Sequence, residues 1–173
     1  MQTEPQEFIP LSVPNMSDTE LRMVREAVET EWVSTAGPFV KQFENDIAAY
    51  VGANGAVACQ SGTAGIHVAL RLAGVVENDE VIVPALTFIA TVNPVRYLGA
   101  HPVFMDCDDS LCIDTTKLEE FFSKECELRA DGLFDVGTGR RISALVVVHV
   151  FGNMADMPRI MELCDAYGVP VIE

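Results

Sequence analysis

The sequence is poor in basic residues and contains no hydrophobic run of membrane-spanning length. Eleven Lys and Arg stand against 26 Asp and Glu among 173 residues, which gives a formal net charge of -15. Nucleic-acid phosphates and anionic membrane surfaces repel such a chain, so we expect no binding to nucleic acid or to membranes. The most apolar stretch, residues 144–151, contains His149 and is too short to span a bilayer.

Cysteine spacing and the first residues of the chain exclude further classes. The five cysteines are odd in number and form no C-x-x-C pair, which argues against a disulfide framework and against a zinc site. Most of them lie in apolar segments and are expected to be buried, reduced thiols. The first residues lack the basic and apolar regions of a signal peptide. We therefore expect a soluble cytoplasmic protein without a metal site.

The first third of the chain predicts two helices. Ser17 to Glu20 is a capping-box pattern, in which the serine hydroxyl and the glutamate carboxylate each satisfy a backbone N–H group. Apolar residues at helical spacing follow, and this helix is expected to end near Glu31 and Trp32. A second helix is predicted from Phe39 to Tyr50, where Gly52 follows.

Strand and helix patterns alternate over the rest of the chain. Strands are predicted at 56–59, 80–83, 102–106, 142–148 and 169–172, and helices at 63–73, 88–98, 114–124 and 156–167. The polar, glycine-rich residues 127–141 predict a hairpin or a surface excursion. This alternation is typical of an α/β domain with a mostly parallel sheet.

A turn from Ser61 to Gly65 is the most informative local motif. It joins a predicted strand to a predicted helix, whose free N–H groups and dipole favour an anion at the turn. Gly62 allows close backbone approach, and the hydroxyls of Ser61 and Thr63 add donors. The turn has no Lys, so it suits one phosphate monoester better than a triphosphate. An ordinary capped helix explains the same pattern.

Three other features have both a functional and a structural interpretation. Phe88 follows a strand at its carboxyl end, where it can stack on a flat ring or pack in the core. His149 at the end of the long apolar strand is interpreted as a structural residue. The acidic residues after strand 102–106 lack the spacing of a calcium loop and are interpreted as a solvated turn.

Taken in order, several segments resemble the DegT/DnrJ/EryC1/StrS family of pyridoxal-phosphate (PLP) sugar aminotransferases. They are Trp32 to Pro38, Ser61 to Ala64, Glu80 to Asn93, Pro102 to Asp106, His149 to Gly152 with Ala155 to Met157, and Pro170 to Glu173. The resemblance covers almost the whole chain from Ile9. It departs at Gly65, where Ala is usual, and at Asn153, where Gln is frequent.

The resemblance implies the large domain of an aspartate-aminotransferase-like fold, with a mostly parallel mixed sheet. It implies that Ser61, Gly62, Thr63 and Ala64 bind the phosphate of PLP and that Phe88 stacks on the PLP ring. It also implies that the segment Trp32, Val33, Ser34 and Thr35 lines the sugar-nucleotide site. The implied partners are a nucleotide sugar, an amino acid and a second subunit in a homodimer that shares its active sites.

Family members carry two further catalytic residues, an Asp beside the pyridine nitrogen and a Lys that anchors PLP covalently. The Asp follows the position of Glu173, and the Lys comes later still, so residues 1–173 are expected to be the N-terminal portion of the large domain. Lys41, Lys117 and Lys124 lie in no matching context. No catalytic residue is therefore assigned within this chain.

Three functions remain open on these grounds. The first is transfer of an amino group, with glutamate as the expected donor, to a nucleotide-linked keto sugar. Residues 127–141 resemble the branch that makes 4-amino sugars for legionaminic-type nonulosonic acids. The second is PLP-dependent sugar dehydration, in which His replaces the anchoring Lys. The third is a truncated, catalytically silent unit for folding or dimerisation.

Overall fold

The computed structural model describes residues 8–10 and 12–173. The chain divides into two compact units, Met1–Ala58 and Cys59–Glu173. Each unit is described by itself below.

The described residues of the first unit form two helices, α1 (Asp18–Glu29) and α2 (Pro38–Val51). The predicted capping box is present, because Ser17 Oγ accepts the Thr19 N–H at 3.2 Å and the Glu20 carboxylate accepts the Ser17 N–H at 2.6 Å. Helix α2 ends at Gly52, whose φ of 69° is left-handed, as glycine allows. No residue of either helix is buried.

The second unit is built on a six-stranded sheet, counted over the residues that the structure describes. Its strands are β1 (Glu80–Pro84), β2 (His101–Met105), β3 (Cys126–Arg129), β4 (Gly132–Asp135), β5 (Arg141–Val146) and β6 (Val171–Ile172). β2, β1, β5 and β6 pair in parallel, whereas the β3–β4 hairpin is antiparallel and joins the sheet along β5. The prediction of an α/β domain with a mostly parallel mixed sheet is confirmed.

Helices and apolar side chains cover both faces of this sheet. The helices are α3 (Gly62–Leu72), the short α4 (Asn93–Tyr97), α5 (Thr115–Lys124) and α6 (Met157–Tyr167). Alternating positions of β5 enter two separate clusters, since Leu145 packs with residues of α5 and α6, and Val146 packs with Leu70 of α3. Both faces of this strand are therefore buried, as its near-continuous apolar sequence favours.

Two of the predicted elements are wrong. Residues 56–59 form no strand, because a strand requires a hydrogen-bonded ladder and no pairing in the described sheet includes them. Residues 88–98 form no continuous helix but a 3₁₀ turn (Ile89–Thr91) followed by α4. The break is due to Pro94, which lacks an N–H group and fits only the first turn of a new helix.

Smaller differences concern element ends and cysteine burial. β5 stops at Val146 rather than at Val148, and β6 comprises two residues where four were predicted. Of the five cysteines, Cys112 and Cys164 are buried and Cys59 is exposed, so the expectation that most are buried is wrong. Burial raises the pKa of Cys164 to about 12, which keeps this thiol protonated.

Candidate functional site

The order in which the chain adds strands across the sheet reverses between β1 and β5. These neighbouring strands run parallel, yet β1 leads to β2 on one side while β5 pairs with β6 on the other. Their carboxyl ends therefore form a topological switch point. In open α/β sheets, ligands bind in the crevice outside such a point.

A pocket of about 330 Å³ lies at this edge. One wall comes from the loop after β1, with Leu86, Thr87 and Phe88, and the other from residues 148–151 after β5. The lining is largely apolar, and its one titratable side chain is that of His149. Both walls follow directly from strands, so the sheet itself determines their spacing.

Phe88 is not a core residue. Its side chain is 76% exposed, and its backbone is extended (φ -75°, ψ 142°) immediately before the 3₁₀ turn. The Thr87 and Thr91 hydroxyls are hydrogen-bonded at 2.9 Å, which ties this loop to the buried Thr91. The core interpretation of Phe88 is therefore wrong, and its ring is available to a ligand in the pocket.

The turn at Ser61 begins helix α3 as the sequence predicts. Ser61 Oγ accepts the Ala64 N–H at 3.2 Å, and the Ser61 carbonyl accepts the Gly65 N–H at 3.0 Å. The first N–H groups of a helix have no partner inside it, so those of Gly62 and Thr63 point beyond the turn. The Ala64 N–H, which the resemblance assigns to the phosphate, instead donates to the hydroxyl of Ser61, the N-cap of the helix.

Helix α3 points its N-terminus towards the same edge of the sheet. Arg141, the first residue of β5, donates a hydrogen bond to the Gly74 carbonyl at 2.8 Å, so the C-terminal end of α3 lies at the amino edge. The helix and strand β1 are each about 16 Å long. Ser61 and Phe88 thus belong to one edge of the second unit.

The features of this edge fit a planar cofactor that carries one phosphate. The first turn of α3 contains no acidic residue, and a side chain at Gly62 would meet nothing within 4 Å, so the approach to its amide is open. A helix N-terminus stabilises an anion through its N–H groups and its dipole. Phe88 provides an exposed aromatic face beside the pocket for a flat ring.

His149 has two defined hydrogen-bond partners. Its Nδ1 accepts the Ala155 N–H at 3.2 Å, so the ring proton lies on Nε2, which donates to Glu173 Oε1 at 2.7 Å. These bonds agree with the structural interpretation of His149. The same ring also lines the pocket, which the sequence did not reveal.

The segment Trp32, Val33, Ser34 and Thr35 belongs to the first unit, where it connects α1 and α2. Trp32 packs against Gly37, since a Cβ built at Gly37 would lie 3.3 Å from that of Trp32. Gly37 has a φ of 145°, so a larger residue would be both strained and crowded. The role of this segment in binding a sugar nucleotide stays a prediction.

All three lysines are engaged in ion pairs away from the pocket lining. Lys41 pairs with Glu44, Lys117 with Asp106 and Lys124 with Glu120, each within 4.0 Å. Within the described ranges no group of His, Cys, Asp and Glu could hold a metal ion. Nor is any described helix both long enough and apolar enough to cross a membrane.

Comparison with known proteins identifies the family. The profile of the DegT/DnrJ/EryC1/StrS aminotransferase family matches residues 14–173. The chain belongs to this family. Among curated relatives, EpsN of Bacillus subtilis is 42% identical over 94% of the chain, and the GDP-perosamine synthase of Caulobacter vibrioides is 36% identical over 95%. The chain spans 40% of the length of each of these relatives.

Solved structures of the DegT/DnrJ/EryC1/StrS family share the fold. DesV of S. venezuelae, solved with a ketimine intermediate, is 31% identical with a TM-score of 0.70, and the match covers 88% of this chain and 38% of DesV. An aminotransferase from Psychrobacter cryohalolentis is 29% identical with a TM-score of 0.77, covering 94% and 38%. The family and its structures indicate pyridoxal phosphate as the cofactor, in agreement with the prediction.

Proposed function

We propose that this chain supplies the PLP-binding part of an enzyme that transfers an amino group from an amino acid to a nucleotide-linked keto sugar. The proposal rests on the pocket at the switch point, where the N-terminus of α3 and Phe88 lie at the same edge of the sheet. Family membership restricts the chemistry to that of sugar aminotransferases and their relatives. Glutamate is the expected amino donor.

In the proposed site, the Gly62 and Thr63 amides bind the cofactor phosphate together with the Thr63 hydroxyl. Rotation of the Ser61 side chain would release the Ala64 amide for the same purpose. Phe88 stacks on the ring and keeps water from that face. When bound, PLP would serve as an electron sink for the negative charge that develops on the carbon bearing the transferred amino group, and the chain's residues would orient the cofactor.

Aminotransfer is favoured over sugar dehydration by sequence identity. GDP-perosamine synthase of Caulobacter vibrioides and the UDP-4-amino-4-deoxy-L-arabinose–oxoglutarate aminotransferase of Shewanella sediminis are 36% and 33% identical to the chain. Structures of GDP-4-keto-6-deoxymannose-3-dehydratase are 22% identical, which supports the shared fold alone. The finer assignment to legionaminic-type 4-amino sugars rests only on the segment 127–141 and stays a prediction.

We further propose that the complete enzyme is a cytoplasmic homodimer in which Trp32–Thr35 lines the sugar-nucleotide site. The test is to incubate the complete enzyme with PLP, glutamate and a GDP- or UDP-linked 4-keto sugar. Formation of an amino sugar, detected by mass spectrometry, supports the proposal. Deoxygenation of the sugar at C3 without amino transfer would instead favour the dehydratase.

The 173-residue chain alone should form no amino sugar in the same assay. None of its three lysines lines the pocket, and each is held in an ion pair. A single borohydride-trapped PLP–lysine adduct together with product formation would contradict this expectation. Absence of product with this chain, while the complete enzyme is active, would support it.

A further inference from the structure

Phe151 is a backbone outlier at the mouth of the pocket. Its φ of 54° and ψ of 23° are left-handed, and its side chain is 88% exposed. A bulky residue rarely adopts this conformation, which costs on the order of 1–3 kcal/mol and persists only where the surroundings enforce it. A large aromatic that is both strained and exposed contributes little to folding.

The surroundings of Phe151 do enforce the conformation. Val150 before it is buried, and the Asn153 N–H donates to the Val150 carbonyl at 3.0 Å, closing the turn. The Asn153 side chain donates to the Ser110 carbonyl at 3.0 Å, and the Cys112 thiol donates to the Asn153 carbonyl at 3.2 Å. The turn is thus fastened to a segment about 40 residues earlier in the sequence.

The Phe151 ring is not used elsewhere in the second unit. It belongs to neither hydrophobic cluster, and among described residues it forms no stacked or edge-on pair with another aromatic ring. It does line the pocket, opposite the loop that carries Phe88. Two exposed aromatic side chains therefore follow neighbouring parallel strands and face one pocket.

The lining of the pocket suits an uncharged ring better than a charged group. No Lys or Arg lines it, and both ring nitrogens of His149 are engaged, Nδ1 by the Ala155 N–H and Nε2 by the Glu173 carboxylate. A dicarboxylic amino donor needs cations, which this wall does not offer. A sugar ring presents a face of C–H groups, which packs well on an aromatic ring.

We propose that Phe151 contacts the acceptor sugar ring and helps determine which sugar the enzyme accepts. This inference rests on the proposed function. The anchored left-handed backbone fixes the position of Phe151 beside the pocket, so the turn need not rearrange when the sugar binds. The residue is a specificity determinant for the acceptor and has no part in the donor half of the reaction.

The test uses the complete enzyme and calorimetric titration. The titrant is GDP-perosamine or UDP-4-amino-4-deoxy-L-arabinose, whichever the wild type binds more tightly, with GDP or UDP alone as the second probe. Phe151→Ala should weaken binding of the amino-sugar nucleotide about three- to tenfold and leave the nucleotide's affinity unchanged. Phe151→Gly should weaken binding of the amino-sugar nucleotide equally. The midpoint of thermal unfolding should stay level or rise in this variant, because glycine removes the backbone strain.

The control is Phe104→Ala, which removes another exposed Phe outside the pocket and should change neither affinity. The rate at which glutamate alone converts the PLP form, followed by absorbance, should be the same in wild type and Phe151→Ala. An equal loss of affinity for the nucleotide alone, a slower reaction with glutamate, or unchanged sugar affinity would each overturn the proposal. If the wild type binds neither amino-sugar nucleotide and also forms no amino sugar in the activity assay described above, the proposed function is refuted instead.

Discussion

Replacing Phe88 by Ala distinguishes a ligand-contacting ring from a core residue. About a quarter of the Phe88 side chain is buried, since it is 76% exposed. Full burial of a Phe is worth about 1.5–3 kcal/mol, so truncation should lower the free energy of unfolding by about 0.4–0.7 kcal/mol. The matched control is Phe122, which is 1% exposed and whose truncation should cost about 3–5 kcal/mol.

The affinity for PLP should respond in the opposite order, with a larger loss for Phe88→Ala than for Phe122→Ala. Loss of a stacked ring at the PLP site removes about 0.5–1.5 kcal/mol, so Phe88→Ala should weaken PLP binding by the complete enzyme about two- to tenfold. Urea unfolding of the 173-residue chain measures the stability, and an absorbance titration of the complete enzyme measures the affinity. A stability loss close to that of Phe122→Ala, with unchanged PLP affinity and spectrum, would refute the reasoning.

Three further changes test the site and its surroundings. Thr63→Ala should weaken PLP binding about ten- to a hundredfold in an absorbance titration, because a charge-assisted hydrogen bond is worth roughly 1.5–3 kcal/mol; unchanged affinity would remove the turn from the site. Burial raises the pKa of Glu80, so its contribution to stability is present below the unfolded pKa and is lost as pH rises through the folded pKa. The free energy of unfolding of wild type relative to Glu80→Gln, measured by urea titration, should therefore fall from pH 4 to pH 7. A pH-independent difference would contradict this. Desolvation of the half-buried Cys126 and the buried Cys164 raises the pKa of each thiol to about 12, so iodoacetamide at pH 8 should modify the exposed Cys59 first in the folded chain. An equally fast reaction of Cys126 or Cys164, measured by mass spectrometry, would contradict this.

Local chemistry made several elements predictable from the sequence. The Ser17 capping box, the Asp114 cap of α5 and the left-handed Gly52 each depend on neighbours within a few residues. The turn at Ser61 belongs to the same group, because its hydrogen bonds join residues three and four positions apart. Such features hardly depend on the rest of the fold.

Two elements predicted from local pattern are wrong, for different reasons. Residues 56–59 form a short apolar run, as a buried strand does, but a strand needs a neighbour at the right register. The burial of Phe88 could not be read from its type, since an aromatic after a strand is equally compatible with core and surface. Residues 88–98 were a local error, because Pro94 was visible in the sequence and breaks a helix there.

The sequence by itself determined the α/β class, the capped turn at the start of α3 and the resemblance to sugar aminotransferases. Each follows from hydrophobic periodicity, from capping chemistry within a few residues, or from motifs in a fixed order. Only the tertiary structure decided that β1 and β5 are neighbours and that Phe88 and Phe151 therefore line one pocket. It also decided that Asn153 anchors the turn containing the left-handed Phe151 to Ser110. The physical reason is that the strand order and the anchoring of the turn depend on contacts between residues roughly 40 to 60 positions apart in the sequence. No short stretch of sequence includes both partners of such a contact.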